Sequence, residues 1–231
     1  MATGHIVAMG GGGFSMEPDN TRLDRFMLSL ARRENPRVCF LNPASSEDYN
    51  YRFYQAFGLS SCRTNHLDLF RLPTANLRGW MLEQDVVYVG GGNTRSMLAL
   101  WREWDLVSIL DECHREGAVL AGVSAGMICW YEWGVTDSVP GTLGALRCAG
   151  LLPGSAAPHY DGERDRRPVF QRLVADGTLP DGVAADDSAA LHYVDGVLSE
   201  VVCSVAGKAG YRVVRNGDGA VETRLEGRLL R

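Results

Sequence analysis

The first half of the chain alternates short apolar runs with longer segments in which apolar residues recur every three to four positions. Most of the short runs stop at glycine, asparagine or proline, which predicts buried strands. Strands are predicted at His5–Met9, Arg37–Leu41, Cys62–Leu69, Asp85–Val89 and Ala118–Val123. Because Cys62–Leu69 is more polar than the others, we expect it towards an edge of the sheet.

The segments between these runs have the spacing of amphipathic helices. Helices are predicted from Asn20 through Ala31 to a stop at Asn35-Pro36, from a Ser45-Ser46 cap to Leu59, in a short turn at Asn76–Met81, and over 94–116 with a break near Asp105. Strand–helix–strand repeats with short loops imply right-handed parallel crossovers. The pattern therefore predicts an α/β fold, with a doubly wound, mostly parallel sheet and helices on both faces.

The second half of the chain has a different residue pattern. Residues 134–162 are rich in Gly, Ser, Thr and Pro, and no strand or helix is predicted there, whereas 166–175 returns to helical spacing. Short strands are then predicted at 182–185, 189–194, 197–198, 201–206 and 211–214, with a hairpin turn at 216–219. We expect C-terminal antiparallel strands. With no internal repeat and no long linker, residues 1–231 are expected to form a single α/β domain.

Composition narrows the classes of function. The net charge is −5 and no block of basic residues is present, so nucleic acid is not an expected partner. No apolar run is long enough to span a membrane and no secretory signal is visible, which predicts a cytoplasmic protein. The six cysteines are scattered, with no Cys/His cluster, so we expect reduced core cysteines and neither a metal nor a cofactor.

The sharpest local signal is Gly122-Val-Ser124-Ala-Gly126, between a predicted strand and the apolar segment Met127–Tyr131, which predicts the start of a buried helix. Gly-x-Ser-x-Gly in this context is the nucleophile-elbow pattern, in which a turn too tight for side chains two residues before and after the serine exposes its hydroxyl. The alternative is a serine that only caps the helix. A second glycine run, Gly10–Gly13, lacks the spacing of nucleotide-binding loops, and we expect it to let the backbone pass close under the site.

A serine nucleophile needs a base within hydrogen-bond reach. His159 lies in a loop before a helix, a usual setting for catalytic bases, although an ordinary loop histidine is the alternative. The other histidines are less suitable. His5 begins the first strand at the opposite end, His66 and His192 lie in strands, and His114 lies between charged residues on a helix, where we expect it to be solvated.

The base in turn needs an acid that orients it. Asp186 and Asp187 lie side by side at a break between strands, where their side chains should point in opposite directions, so either could serve. Asp161 and Asp137 are weaker candidates. Hydrolysis also needs hydrogen-bond donors for the oxyanion, and we expect them from the backbone of Ala125 and of Gly91 or Gly92. Asn93, in the same glycine loop, is a candidate substrate contact.

Three motifs occur together: Val89-Gly-Gly-Gly-Asn-Thr94, Ala121-Gly-Val-Ser-Ala-Gly-Met127, and Pro158-His159 followed by a later acid. In this the chain resembles the peptidase E family, the aspartyl dipeptidases related to cyanophycinase, whose fold is similar to that of class I glutamine amidotransferases. The resemblance implies that fold and a triad of Ser124, His159 and Asp187 in chain order, with aspartate where the type member has glutamate. The amidotransferases use cysteine at the elbow, so serine argues against glutaminase chemistry.

The resemblance also implies an activity: a cofactor-free serine exopeptidase or dipeptidase that cleaves short peptides after an N-terminal aspartate. A basic side chain should bind that carboxylate, and Arg164, then Arg167, best match the family's arginine-containing segment, although a solvated helix start is the alternative. A shorter loop after His159 leaves other specificities open, including cyanophycinase-like cleavage of β-aspartyl peptides. A non-catalytic binding module is a further alternative. The expected partner is a small peptide, with the protein a monomer or a homodimer.

Overall fold

A computed structural model describes residues 3–42, 47–58 and 61–231 of the protein. The strands are β1 (His5–Met9), β2 (Arg37–Leu41), β3 (Arg63–Leu67), β4 (Val86–Val89), β5 (Val119–Val123), β6 (Tyr131–Val139), β7 (Thr142–Arg147), β8 (Leu152–Ala157), β9 (Gly182–Ala185), β10 (Ala189–Val194), β11 (Val197–Cys203), β12 (Ala209–Asn216) and β13 (Gly219–Leu229). The helices are α1 (Gly13–Met16), α2 (Arg22–Ser29), α3 (Glu47–Phe57), α4 (Leu77–Leu82), α5 (Thr94–Glu103), α6 (Leu106–Arg115), α7 (Ala125–Ile128) and α8 (Arg166–Ala175). The predicted cap at Ser45-Ser46 and the helix position Leu59 lie outside the described residues.

Five parallel strands form the first half of the sheet, in the order β3-β2-β4-β5-β1. The polar strand β3 lies at the edge, as predicted. In the register of the sheet, Met9 lies opposite Val123 and Val89 lies opposite Gly122. The chain therefore leaves β1, β4 and β5 at the same edge of the sheet, which brings the two glycine loops beside Ser124.

Helices cover both faces of this parallel section. Alternate side chains of β1 belong to different apolar clusters: Ile6 and Ala8 pack with α4–α7, whereas Val7 and Met9 pack with α1–α3. This alternation is what a strand with two buried faces requires. The predicted doubly wound α/β class is confirmed. Within the described ranges, no helix combines the length and apolar character needed to cross a membrane.

The segment after the elbow differs from the prediction. The helix expected to begin at Met127–Tyr131 is a single turn, α7, and Tyr131 already starts the strand β6. Residues 134–162, for which no element was predicted, contain most of β6 and all of β7 and β8. The backbone of β6 pairs with β8 on one side and β7 on the other, so distant partners override the local helical spacing.

The C-terminal strands extend the same sheet from β1 through β10, β11, β13, β12, β9, β8 and β6 to β7. The antiparallel pairs β10–β11 and β12–β13 confirm the predicted antiparallel section, whereas β11 and β13 are parallel. Strand β13 is not predicted by the sequence pattern, because it is largely exposed and carries four charged residues at alternate positions from Glu222 to Arg228. Helix α8 packs against this half of the sheet through Phe170 and Val174.

Candidate active site

Ser124 lies in the turn between β5 and α7 with φ 58° and ψ −110°, an unfavourable conformation for a residue with a side chain. A Cβ at Gly122 would collide with the backbone of Gly126, and one at Gly126 would collide with the carbonyl of Val89. The backbone N–H of Ser124 donates to the carbonyl of Met9 at 3.1 Å. The two glycines therefore permit the sharp turn that the motif predicts, and neighbouring strands hold it.

The structure brings His159 between Ser124 and Asp187. Its Nε2 lies 2.9 Å from Oγ of Ser124, and its Nδ1 lies 2.6 Å from Oδ1 of Asp187. His159 follows β8 and also has a positive φ, 50°, while its backbone N–H donates to the carbonyl of Gly10 at 3.1 Å. Hydroxyl, imidazole and carboxylate thus form one continuous hydrogen-bonded chain.

The two adjacent aspartates point in different directions. Asp187 faces His159, whereas Asp186 is buried and its Oδ2 accepts the N–H of Ala209 at 3.0 Å and the hydroxyl of Tyr211 at 3.2 Å. Burial raises the pKa of Asp186, and the charge of Asp161 adds to this shift. Of the two candidates left open by the sequence, only Asp187 contacts the imidazole.

The glycine run Gly10–Gly13 passes directly beneath these groups. A Cβ at Gly10 would collide with the carbonyls of Ala185 and Asp186, and one at Gly11 would collide with the carboxylate of Asp187. The carbonyl of Gly11 also accepts the N–H of Ser188 at 3.1 Å. The close passage expected of this loop is observed, and it requires residues without side chains.

A polar pocket of about 350 Å³ opens beside the serine and is lined by Gly92, Asn93, Ser124, Asp137, Ser138, Glu163 and Arg166. Arg166 is only 2% exposed. Its Nε and Nη2 donate to Oε2 of Glu163 at 3.0 and 2.6 Å, and its Nη1 donates to the carbonyl of Val135 at 2.8 Å. A buried guanidinium at the edge of the pocket is thus fixed from two sides.

Arg166 lines the pocket although it was not among the predicted site residues, and the predicted Arg164 and Arg167 lie outside the pocket lining. Arg164 is exposed. Arg167 forms an ion pair with Glu222, and its guanidinium lies 4.8 Å from the ring centroid of Tyr211. Helical spacing carries the missing signal, because position 166 shares the buried face of α8 with Phe170, one turn further on.

The remaining candidates surround the serine. Asn93 caps α5 by accepting the N–H of Ser96 at 3.0 Å and donates to the carbonyl of Ser138 at 2.9 Å, so both ends of its amide are engaged. Ala125 is the first residue of α7, where a backbone N–H has no partner within the helix. A Cβ at Gly91 would lie 3.9 Å from Oγ of Ser124, which places this loop against the nucleophile.

The other histidines lie away from the site. Nδ1 of His5 lies 3.0 Å from Nε2 of His192, with the two rings stacked, and His66 lies in β3. The expectation that His114 is solvated is wrong: its ring is half-buried against Gly4, where it fills the space that a side chain would need. Among the described residues, no group of three or more His, Cys, Asp or Glu side chains is arranged to hold a metal ion.

Comparison with known proteins identifies the family of the chain. The sequence model of peptidase family S51 matches residues 6–201. The uncharacterized peptidase YgaJ of Bacillus subtilis (strain 168) is 53% identical over 211 residues, which cover 90% of this chain and 91% of that protein. The protein is a serine-type peptidase with an α/β fold. The chain belongs to peptidase family S51, and the resemblance to peptidase E is confirmed.

Two solved structures share the fold at low sequence identity. A peptidase from an acI-B1 actinobacterium superimposes with a TM-score of 0.71 at 16% identity, covering 97% of this chain and 94% of that one. A protein of Listeria monocytogenes EGD-e assigned as a peptidase E gives a TM-score of 0.58 at 14% identity, covering 97% and 100%. At these identities the likeness concerns the fold alone.

Proposed function

We propose that this peptidase is an exopeptidase for short peptides with an N-terminal aspartate, and that Ser124, His159 and Asp187 perform the chemistry. The observation that carries the proposal is the hydrogen-bonded chain from Oγ of Ser124 through both ring nitrogens of His159 to Asp187. Such a chain lets the imidazole take the hydroxyl proton as the serine attacks, while the carboxylate stabilises the imidazolium.

The reaction would proceed through an acyl-enzyme. Oγ of Ser124 attacks the scissile carbonyl, His159 passes the proton from Oγ to the leaving amine, and water then attacks the ester with His159 again as the base. The backbone N–H of Ala125, with Gly91 or Gly92, would donate to the oxyanion. Loss of one such donor typically costs about 3 kcal/mol of transition-state stabilisation.

The pocket beside Ser124 supports selection of an acidic N-terminal residue. A guanidinium carries five N–H donors, and three of those of Arg166 are engaged by Glu163 and Val135. The donors that remain on Nη1 and Nη2 are suited to the side-chain carboxylate of the substrate. The exposed carboxylate of Asp137 lines the same pocket and is suited to the α-ammonium group, which would restrict cleavage to free amino termini.

The test is a comparison of aspartyl-leucine with asparaginyl-leucine, N-acetyl-aspartyl-leucine and β-aspartyl-leucine as substrates of the purified protein. We expect cleavage of the first peptide only, and no cleavage by Ser124→Ala. The control is Ser108→Ala, which removes an exposed helical hydroxyl that binds Asp105. Hydrolysis of the β-aspartyl peptide alone would support the cyanophycinase-like alternative, and full activity of Ser124→Ala would overturn the proposed nucleophile.

A further inference from the structure

Lys208 is the only lysine in the sequence, in which all other cationic side chains except histidines are arginines. Its Nζ forms an ion pair with Oδ2 of Asp161. The other oxygen of that carboxylate, Oδ1, accepts the backbone N–H of Asp187 at 2.8 Å. A single carboxylate therefore connects the lysine to the backbone of the residue that contacts His159.

The segment 159–162 encloses Asp187 from one side. His159 binds its carboxylate, Asp161 binds its backbone N–H, and Gly162 lies so close to Oδ2 that a Cβ there would collide with it. Lys208, in the connection between β11 and β12, binds the other oxygen of the Asp161 carboxylate. The position of Asp187 relative to the imidazole thus depends on an ion pair between two loops distant in the sequence.

Carboxylates dominate the charges around His159, and Lys208 offsets part of them. Burial acts to raise the pKa of Asp161, but hydrogen bonds from Lys208 and from the N–H of Asp187 outweigh this and lower it. The hydrogen bond to Asp161 raises the pKa of Lys208, against its burial, and the charges of Asp161, Asp186 and Asp187 raise it further. Of the charged side chains on the segments around His159, Asp187 contacts the imidazole, whereas Asp186 of the same β9–β10 turn is directed to Ala209 and Tyr211. The others are Asp161 and Glu163 in the loop of His159 itself, Arg166 in α8 and Lys208 in the β11–β12 connection.

We propose that Lys208 is a positioning residue for the triad: through Asp161 it fixes the backbone of Asp187, and its charge balances the carboxylates around His159. The inference rests on the proposed function of the triad. Without the ammonium charge, the uncompensated carboxylate of Asp161 favours the imidazolium form of His159. The acid limb of the pH profile of kcat/KM then moves to higher pH, since the base must be neutral to accept the serine proton.

The solitary lysine allows a chemical test on the folded wild-type protein. Acetylation of amines removes the charge of Lys208, whereas reductive dimethylation keeps it, and the α-amino group is the one other amine that both reagents modify. We expect acetylation to move the acid limb about one pH unit higher and to lower kcat/KM at pH 6 by about tenfold. Dimethylated protein should match the untreated enzyme.

The control is Lys208→Arg, which keeps the charge but cannot be acetylated at position 208. This variant should retain the wild-type pH profile before and after acetylation, so it reports any effect at the α-amino group or at Ser124. Equal profiles of acetylated and dimethylated wild type would overturn the inference while leaving the proposed function intact. Activity that survives Ser124→Ala would instead remove the proposed function on which the inference rests.

A pair of neutral variants separates position from charge. Lys208→Gln alone leaves Asp161 uncompensated and should reproduce the shifted profile. Adding Asp161→Asn restores a neutral pair that can hydrogen-bond both to position 208 and to the N–H of Asp187, and this double variant should return the acid limb to its wild-type position. Failure of the double variant to restore the profile would contradict the role of charge.

Asp161→Ala tests the positioning role. It removes the acceptor of the Asp187 N–H and should lower kcat about 10- to 100-fold with little change in KM.

Discussion

The α-carbon of Gly11 faces the carboxylate of Asp187 so closely that a Cβ at position 11 would collide with Oδ1 and lie 3.1 Å from Nδ1 of His159. We therefore expect Gly11→Ala to push the acid away from the imidazole. A misplacement of about 1 Å in a catalytic group can cost on the order of 100-fold in rate, so kcat should fall by that order. Steady-state kinetics with an aspartyl dipeptide measure the effect.

The matched control for this substitution is Gly144→Ala. A Cβ at Gly144 meets only a methyl group of Thr142, at 3.9 Å, and so replaces empty space with an ordinary contact. This variant should keep wild-type activity and thermal stability. Equal activity of Gly11→Ala and Gly144→Ala would show that the glycine loop does not constrain the acid.

The adjacent aspartates should respond differently to the same change. Asp187→Asn removes the charge beside Nδ1 of His159 and can impose the wrong tautomer, so kcat should fall by about 10³- to 10⁴-fold. Asp186→Asn weakens hydrogen bonds to Ala209 and Tyr211, and it should cost about 1–2 kcal/mol of unfolding free energy with activity kept within a fewfold. Chemical denaturation and kinetics of both variants check this. The reverse ranking of their activities would assign the acid to Asp186.

Substitutions of the three arginines in the segment 164–167 should affect substrate binding and protein stability differently. Arg166→Lys keeps a charge but loses the forked geometry that holds Glu163 and faces the pocket, so KM for aspartyl peptides should rise about 10- to 100-fold. Arg167→Gln should leave KM unchanged and lower the melting temperature, because it breaks the ion pair with Glu222. Arg164→Gln, at an exposed position, is the control. A raised KM in Arg164→Gln alone would return the binding role to that residue.

The stacked pair of His5 and His192 should make stability sensitive to acid. Burial lowers the pKa of both imidazoles in the folded protein, and the charge of the other imidazole lowers that of His192 further. An unfolded histidine titrates near pH 6.5, at about its ordinary value. Below that pH the unfolded chain binds more protons than the folded one, so this pair lowers the unfolding free energy as the pH falls towards 5.

The measurement is the difference in unfolding free energy between wild type and His192→Gln from pH 7.5 to 5. On acidification, His192→Gln should lose less unfolding free energy than the wild type, because the histidine pair is absent. Other groups titrate in this range: burial raises the pKa of Asp24 to about 7, which favours the folded state as the pH falls. Asp24 is present in both proteins, so the difference between them isolates the histidines. A difference independent of pH would contradict the prediction.

Features that depend on local chain geometry could be predicted from the amino-acid sequence alone. The turn at Ser124 needs residues without side chains at positions 122 and 126, and that requirement is visible as a five-residue motif. The strands β1, β2, β4 and β5 are apolar on both faces, so their burial could be predicted from composition. His159 was predicted as the base from its position in a loop and by excluding the other histidines, and it lies in the connection between β8 and α8.

Which of several neighbouring residues faces the site depends on the packing of the folded chain. Asp187 rather than Asp186 meets His159 because the β9–β10 turn and the loop of His159, which are far apart in the chain, pack against each other. Helical spacing places Arg166 on the buried face of α8, but only the packing of α8 brings that side chain to the pocket. The same holds for the strand β13, whose backbone is paired by β12 and β11 although its own sequence has little apolar character. Such hydrogen-bond partners come from segments far apart in the chain, so a local pattern of residues does not reveal them.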